Sequence, residues 1–392
     1  MAWLNGWQYR KKITISGSSG AGTNYQVLLK VGESSGASGY NFHINGHSAN
    51  FPSGGNQSGD LRFTSDDGST LLNFWVESVS GTSPNRVALV WVKVAADLGT
   101  DKYIYCYYGN PNATNASSVE NTFIRVIDGN QPVKGSWHFD EGSGTIAYDK
   151  SGNNNNGNLY GPTWVDGKFG KALSFNGVND YVDCGNNASL NPYGNKTISL
   201  WANVKTFGSW RRFIVAPATF ENRYLIALGG ANNRIGVSFY KDEVEYRRET
   251  GDFPIALNTW NHIVAVFEGT TPKLYVNGSE VSLLYDPGGF LYYGTTLWIG
   301  KRQDGSFPFN GLIDEVLIFN RALTAAEISD LYNNYGYTTT NYPGRVLVRK
   351  YVSPEPAFSF ADAEEIVVGI IKHIRLSKYI KGLGLSKYFK FD

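Results

Sequence analysis

Short runs of alternating apolar and polar residues, separated by Gly, Ser, Asn and Asp, fill the first third of the chain. Arg10–Ser16, Tyr25–Val31, Asp60–Thr64, Leu72–Val79, Arg86–Val94 and Asp101–Tyr108 each predict a strand. In Asp60–Thr64, Leu61 and Phe63 fall on one face and Asp60 and Arg62 on the other. Residues 32–59 form a long polar insertion, and unstructured loops of that length are uncommon without a function. His43 and His47 stand four apart within it, a metal-binding spacing only on a helix, which a Gly-rich stretch does not form; they are expected as solvated loop histidines. Asp60 and Asp66–Asp67 offer oxygens for Ca²⁺, but a plain turn explains them more simply.

Alternation resumes after a Pro-bounded connection, Pro111 to Pro132. Trp137, Phe139 and Glu141 share one face of a strand and His138 and Asp140 the other; Ala172–Phe175 forms a second strand. In Gly311–Asn320, strict alternation places Asp314 on the side of Val316 and Ile318, with Glu315 outward. The following run predicts one short helix, with Thr324 as N-cap, Glu327 completing a capping box, and Ala325, Ile328 and Leu331 on the packing side.

Residues 336–392 differ in character. Arg345–Val352 predicts a strand, broken by Ser353-Pro-Glu-Pro356. An apolar-basic peptide then occurs twice, at Leu376–Lys381 and Leu385–Lys390. Such a segment reads as a tail for assembly or docking, or as a hairpin packed on its own chain. Gly382 and Gly384 interrupt any membrane-surface helix.

The runs W-H-F-D-E-G-S-G from Trp137, F-G-K-A-L-S-F-N-G from Phe169, W-N-H-I-V-A-V-F from Trp260 and G-L-I-D-E-V-L-I-F-N-R-A-L-T-A-A-E-I from Gly311 resemble the laminin-G-like jelly rolls of the concanavalin A-like lectin/glucanase superfamily. The runs W-L-N-G-W-Q-Y-R-K-K-I-T-I from Trp3, D-L-R-F-T-S-D-D-G-S-T-L-L-N-F-W-V-E from Asp60 and Y-I-Y-C-Y-Y-G-N-P-N-A from Tyr103 resemble the DUF2341 family, which often precedes such modules in prokaryotic surface proteins. The expected architecture is all-β. A DUF2341-like β-sandwich occupies residues 1–125, a LamG-like jelly roll residues 126–335, and a C-terminal strand and tail residues 336–392.

Composition fits that class. The chain of 392 residues carries 45 Gly, 10 Trp and 25 Tyr, as turn-rich sandwiches do. A net charge of +1 gives no general attraction to nucleic acid. Cys106 and Cys184 fall in different expected domains, which excludes a disulfide framework and favours buried apolar roles. No apolar run approaches the roughly 20 residues of a transmembrane helix. No signal peptide is visible before the first strand.

Candidate chemistry is sparse. The E-x-D-x-x-E pattern of glucanases on this fold is missing, as are G-x-S-x-G and H-E-x-x-H, so the chain reads as non-catalytic. The nearest acidic run, Asp242-Glu-Val-Glu245, is a solvated strand face. The resemblance implies a structural Ca²⁺ at the rim of the sandwich, with Glu141, Asp149, Asn153 and Asp314 at the matching positions; the same groups could instead cap backbone amides. Sugars stack on aromatic faces and bind polar groups beside them. Trp210, Arg212, Tyr224, Tyr240 and Arg247 supply that mixture, whereas Trp201, Trp260 and Trp298 are expected in the core. These features point to a surface adhesion or glycan-recognition protein, such as a fibre, spike or decoration protein of a prokaryotic virus or cell surface. Its partner would be a glycan or glycoprotein surface, with homo-oligomers formed through the tail. A purely structural virion protein and an accessory module of a glycoside hydrolase are the alternatives.

Overall fold

The computed structural model describes residues 2–54, 56–208, 210–217, 219, 222–229, 234–241, 244–252, 254–286 and 294–367. The chain forms two compact units, one from Met1–Ser118 with Pro356–Asp392 and one from Val119–Glu355. The second unit is thus an insertion within the first along the sequence.

The first unit is a sandwich of two sheets. One runs Phe42–His43, Tyr25–Gly32, Val87–Val94, Phe74–Ser80. The other runs Ala357–Ala361, Tyr9–Ser16, Lys102–Tyr108, Arg62–Thr64, with Glu365–Ile366 also paired to Tyr9–Ser16. Alternation builds the core: Ile13, Ile15, Val27, Leu29, Val90, Val92 and Cys106 are all buried. Phe63 of one sheet meets Phe74 of the other with ring centroids 5.2 Å apart. The long insertion is pinned rather than loose. Phe42, Ile44 and Phe51 are buried. The Asp60 carboxylate accepts bonds from Ser48 Oγ, Ala49 N–H, Gly109 N–H and Asn110 N–H. His47 is paired with Glu364 at 2.8 Å instead of being merely solvated.

The second unit has three layers. A nine-stranded sheet runs Ile146–Ala147, Gly157–Tyr160, Tyr181–Asp183, Trp298–Ile299, Arg212–Val215, Tyr224–Leu228, Ile235–Lys241, Val244–Thr250, Leu283–Tyr285. An eight-stranded sheet runs Thr163–Asp166, Lys171–Asn176, Asn310–Phe319, Lys196–Val204, Trp260–Glu268, Thr271–Val276, Ser279–Val281, with Val133–Trp137 also on Asn310–Phe319. Trp137, Phe175, Leu200, Phe213, Ile226, Val237, Phe267 and Ile318 pack in one core cluster drawn from both sheets. A third layer covers the other face of the eight-stranded sheet. It consists of the helix Ala325–Asn333 and a three-stranded sheet of Tyr335–Tyr337, Val346–Arg349 and Arg125–Ile127. Ile328, Leu331, Val346 and Val348 pack there on Val264, Val266, Leu317 and Phe319. The helix begins with the expected capping box of Thr324 and Glu327, but Ala325 is exposed.

Residues 336–392 therefore do not form one separate segment. Tyr335–Tyr337 and Val346–Arg349 belong to the second unit, and Ala357–Ala361 and Glu365–Ile366 complete a sheet of the first. The duplicated peptide, and with it the expected assembly tail, lies outside the described residues.

One local irregularity changes the reading of Asn310–Phe319. Glu315 has φ +51°, and the register with Lys196–Val204 shifts between Ser199 and Trp201. This β-bulge inserts one extra residue and reverses the alternation beyond it. Ile313, Val316 and Ile318 all reach the inter-sheet core. Asp314 does not share their face, contrary to expectation. It is buried on the opposite side, where it accepts bonds from the amides of Lys168, Phe169 and Glu315. Glu315 and His138, expected outward, are buried beneath the third layer with 2.7 Å between Oε2 and Nδ1.

Candidate functional site

The outer face of the nine-stranded sheet carries the most site-like arrangement. Register pairs Tyr160 with Tyr181, Asp183 with Trp298, and Val182 with Ile299. Because side chains alternate across a strand, Leu159, Val182 and Ile299 pack with the core while Tyr160, Tyr181, Asp183 and Trp298 take the other face. The three aromatic rings form a pile. Tyr160 and Tyr181 stack with centroids 4.6 Å apart, and Tyr181 and Trp298 with centroids 3.7 Å apart and planes at 17°.

Trp298 also lines a cleft of about 340 Å³, together with Asp183, Gly294, Thr295, Thr296, Gln303 and Asp304. That volume falls within the range of small-ligand sites. Trp298 Nε1–H donates to Thr296 Oγ1 at 3.0 Å, which fixes the indole edge. Gln303 Nε2 donates to the Thr296 carbonyl at 2.8 Å and joins the two sides of the rim. Gly294 has φ +82°, and a Cβ there would collide with the Gln303 side chain, so this approach requires glycine.

The two carboxylates of the cleft differ. Asp304 receives Nε and Nη2 of Arg302 at 2.9 and 2.5 Å, and the amide of Ser306 at 2.9 Å. Those bonds, chiefly the ones from Arg302, hold its pKa down to about 2. Asp183 accepts only the amide of Gly185, at 2.9 Å, among the described residues.

The residues expected to bind a ligand are dispersed. Tyr224 is fully buried in the core and its hydroxyl donates to the Leu190 carbonyl at 3.0 Å. Arg212 is buried as well, with Nη1 on the Trp210 carbonyl at 2.9 Å. Burial removes both from a ligand's reach, which corrects their assignment. Trp210 packs over Val215, Leu225 and Ala227 on the outer face. The Tyr240 ring is covered by the Arg223 guanidinium at 3.6 Å. Arg247 is held by Asp286 at 2.7 Å. It shares one row with Trp298 through Val215, Leu225 and Ser238, four inter-strand steps or about 19 Å away.

Trp298 was expected in the core with Trp201 and Trp260. Trp201 is buried, on the face covered by the third layer, and Trp260 is partly buried against the same cluster. Trp298 faces outward, and Leu297-Trp298-Ile299 held the signal: Leu297 and Ile299 both enter the core, so the residue between them cannot.

The residues considered for Ca²⁺ have protein partners. Asp149 accepts four bonds, from the amides of Ser136, Ser151 and Asn155 and from Ser151 Oγ, at 2.8–2.9 Å. Asn153 Nδ2 donates to Ser151 Oγ at 3.0 Å. Glu141 Oε1 accepts the Tyr148 amide at 3.1 Å, while its Oε2 is buried without a partner among the described residues. Asp314 is held separately by its three amides. Among the described residues no three His, Cys, Asp or Glu side chains cluster as a metal would require. A calcium shell needs six to eight oxygens directed at one point; Asp149 and Asp314 spend both of theirs on protein donors, whereas Glu141 Oε2 has no donor among the described residues.

The second unit is a jelly-roll sandwich with an aromatic platform and a polar cleft on its open sheet. Residues 176–329 match the concanavalin A-like lectin/glucanases superfamily, and residues 57–147 match a domain of unknown function, DUF2341, in the order expected. Domain 4 of AbnA, a GH43 extracellular arabinanase from Geobacillus stearothermophilus solved with arabinotriose, is similar at 20% identity and TM-score 0.41, over 51% of this chain and 98% of that one. The binding domain of Paraclostridial Mosquitocidal Protein 1 is similar at 20% identity and TM-score 0.39, and the receptor binding domain of botulinum neurotoxin mosaic serotype C/D at 15% and 0.40. This chain spans 52% of each of those two. No curated protein matches the chain. No described helix is long and apolar enough to cross a membrane.

Proposed function

We propose that the second unit is a non-catalytic glycan-recognition module that reads one sugar ring on Trp298. The observation that carries this reading is Trp298 lining the 340 Å³ cleft beside Asp183, Thr296 and Gln303. Tyr181 covers one face of the indole, so the other face is the one left for a ligand. Apolar C–H faces of a pyranose or furanose stack on such a ring, and side-chain and main-chain acceptors beside it take the hydroxyls.

Absence of hydrolysis is supported by Asp304. Glycosidases need a proton-donating carboxyl opposite a second carboxylate. A carboxyl held near pKa 2 by Arg302 is ionised at neutral pH and donates no proton. The setting we propose is a cell or virion surface, where such a module would serve adhesion.

An oligosaccharide array followed by isothermal titration tests the reading. We expect binding to at least one neutral oligosaccharide, a loss of at least tenfold in Trp298→Ala, and retained binding in Trp210→Ala. No binding to any glycan at millimolar concentrations, with both variants indistinguishable from wild type, refutes it and favours a purely structural role.

A further inference from the structure

The charge of the cleft suggests which sugars it takes. Its lining holds two carboxylates and, among the described residues, no lysine or arginine. Arg302 is close by but not free: its side chain is 8% exposed and engages Asp304 in a fork. Lys301 lies outside the lining, with Nζ 5.7 Å from the Tyr181 ring, the ring behind Trp298. The Arg302–Asp304 pair is close to neutral as a unit, so Asp183 is the uncompensated charge in the lining.

We infer that the cleft admits neutral and amino-bearing sugars and rejects sugars bearing carboxylate or sulfate. This rests on the reading of the cleft as a glycan site. An acidic sugar seated on Trp298 would bring its anion close to Asp183 with no lining cation to receive it. Hydroxyls can donate to the Asp183 carboxylate, and an ammonium group can pair with it. A carboxylate or sulfate ester can do neither. The same geometry separates Asp183 from the ordinary role of a strand-end Asp. It spends one oxygen on the Gly185 amide to close its turn, and the second accepts no bond among the described residues.

Matched oligosaccharide pairs that differ only in charge test the inference. Oligogalacturonides are compared with their methyl esters, sialylated with desialylated milk oligosaccharides, and chito-oligosaccharides before and after deacetylation. Titration calorimetry on the full chain in 20 mM and 500 mM NaCl reads the affinities. We expect each neutral member to bind roughly fivefold or more tighter than its acidic counterpart at low salt. The gap should narrow at high salt, because screening weakens exposed charge repulsion. The deacetylated amino sugar should bind at least as tightly as its acetylated form. Asp183→Asn keeps an acceptor for Gly185 and should move the neutral-to-acidic ratio towards one. Acidic members binding as tightly as neutral ones, with Trp298→Ala still abolishing binding, would overturn the charge selection and leave the glycan site standing. If no member of any pair binds, the site itself is refuted, and the charge selection with it.

Discussion

Tyr181 lies almost flat against Trp298, with ring centroids 3.7 Å apart, and Tyr160 backs Tyr181 in turn. The pile stands on the outer face of the sheet, outside the core formed by Val182 and Ile299 on the same strands. Tyr181 thus acts by holding the indole in one orientation rather than by reaching the cleft, since it does not line it. Tyr181→Ala should weaken sugar binding by roughly three- to tenfold, with an unfolding free energy within about 1.5 kcal/mol of wild type. Tyr181→Phe, which keeps the stacking surface, should bind as wild type does. Calorimetric titration and denaturant unfolding check both.

Tyr224 and Arg212 should behave in the opposite way. Tyr224→Phe removes a buried hydroxyl whose bond reaches Leu190 and leaves that carbonyl unpaired. A loss of about 1–2 kcal/mol in stability is expected, with unchanged affinity for any sugar that wild type binds. Denaturant midpoints measured at constant m-value, alongside the same titrations, separate the two effects.

The contrast shows how far the sequence could be read. Strand alternation located six strands of the first unit to within a residue or two, but not Phe42–His43, Ala357–Ala361 or Glu365–Ile366, which are too short or too remote in sequence to announce their pairing. The capping box at Thr324 is a local signal and appears as expected. Asp314 failed for a specific reason. Two-residue periodicity has no means of announcing a bulge, and the left-handed Glu315 shifts every later side chain to the opposite face. Tyr224 and Trp298 were exchanged, the first assigned to a ligand and the second to the core. For Trp298 the flanking Leu297 and Ile299, both core residues, carried the signal. For Tyr224 the neighbouring Leu225 is apolar on the outer face, so alternation does not say which face is covered; that depends on the pairing order, a contact remote in sequence. The third layer explains the burial of His138 and Glu315, since a sandwich of two sheets alone would leave them wet.

Asp149 separates a turn staple from a metal ligand. Its two oxygens collect four short protein bonds and tie Ser136 to the turn residues Ser151 and Asn155. Asp149→Ala leaves three buried amides without an acceptor and should cost roughly 3 kcal/mol or more. Because the donors are protein groups, the loss should be the same in 1 mM EDTA and in 1 mM CaCl₂. A wild-type melting temperature that rises with calcium and falls with EDTA would show that an ion binds the native state, by mass action.

The first unit should depend on the end of the chain. Ala357–Ala361 and Glu365–Ile366 pair with Tyr9–Ser16, and Arg10 bonds Glu365 with 2.7 Å from Nε to Oε2. Glu364 receives the Tyr108 hydroxyl at 2.7 Å and His47 at 2.8 Å. Truncation after Glu355 removes these partners and exposes the edge of Tyr9–Ser16. Differential scanning calorimetry should show the first unit melting several degrees lower, with the transition of the second unit unchanged. A single unshifted profile would mean that the terminal strand contributes nothing.

His262 gives the clearest acid dependence. It is buried beneath the third layer, with Nε2 2.8 Å from Ser199 Oγ and its ring stacked on Trp201. Burial, aided by the charge of Lys168, lowers its pKa from 6.5 to about 3. The unfolded chain therefore binds a proton between pH 6.5 and 3 that the folded chain refuses. Stability from this residue is full above about pH 6.5 and declines as pH falls through that window, by up to 1.4 kcal/mol per pH unit. His138, lowered to about 4 by its own burial, acts in the same direction. Asp314 and Glu315, whose pKa values burial raises, act in the opposite one. A bare acid-unfolding curve would mix all four, so the useful quantity is the difference between wild type and His262→Gln, whose side-chain amide can still reach Ser199. That difference should shift by roughly 2 kcal/mol against wild type between pH 6.5 and 4.5, measured by urea unfolding at each pH. A constant difference across that range would mean that His262 accepts its proton in the folded chain, and that the third layer admits water to it.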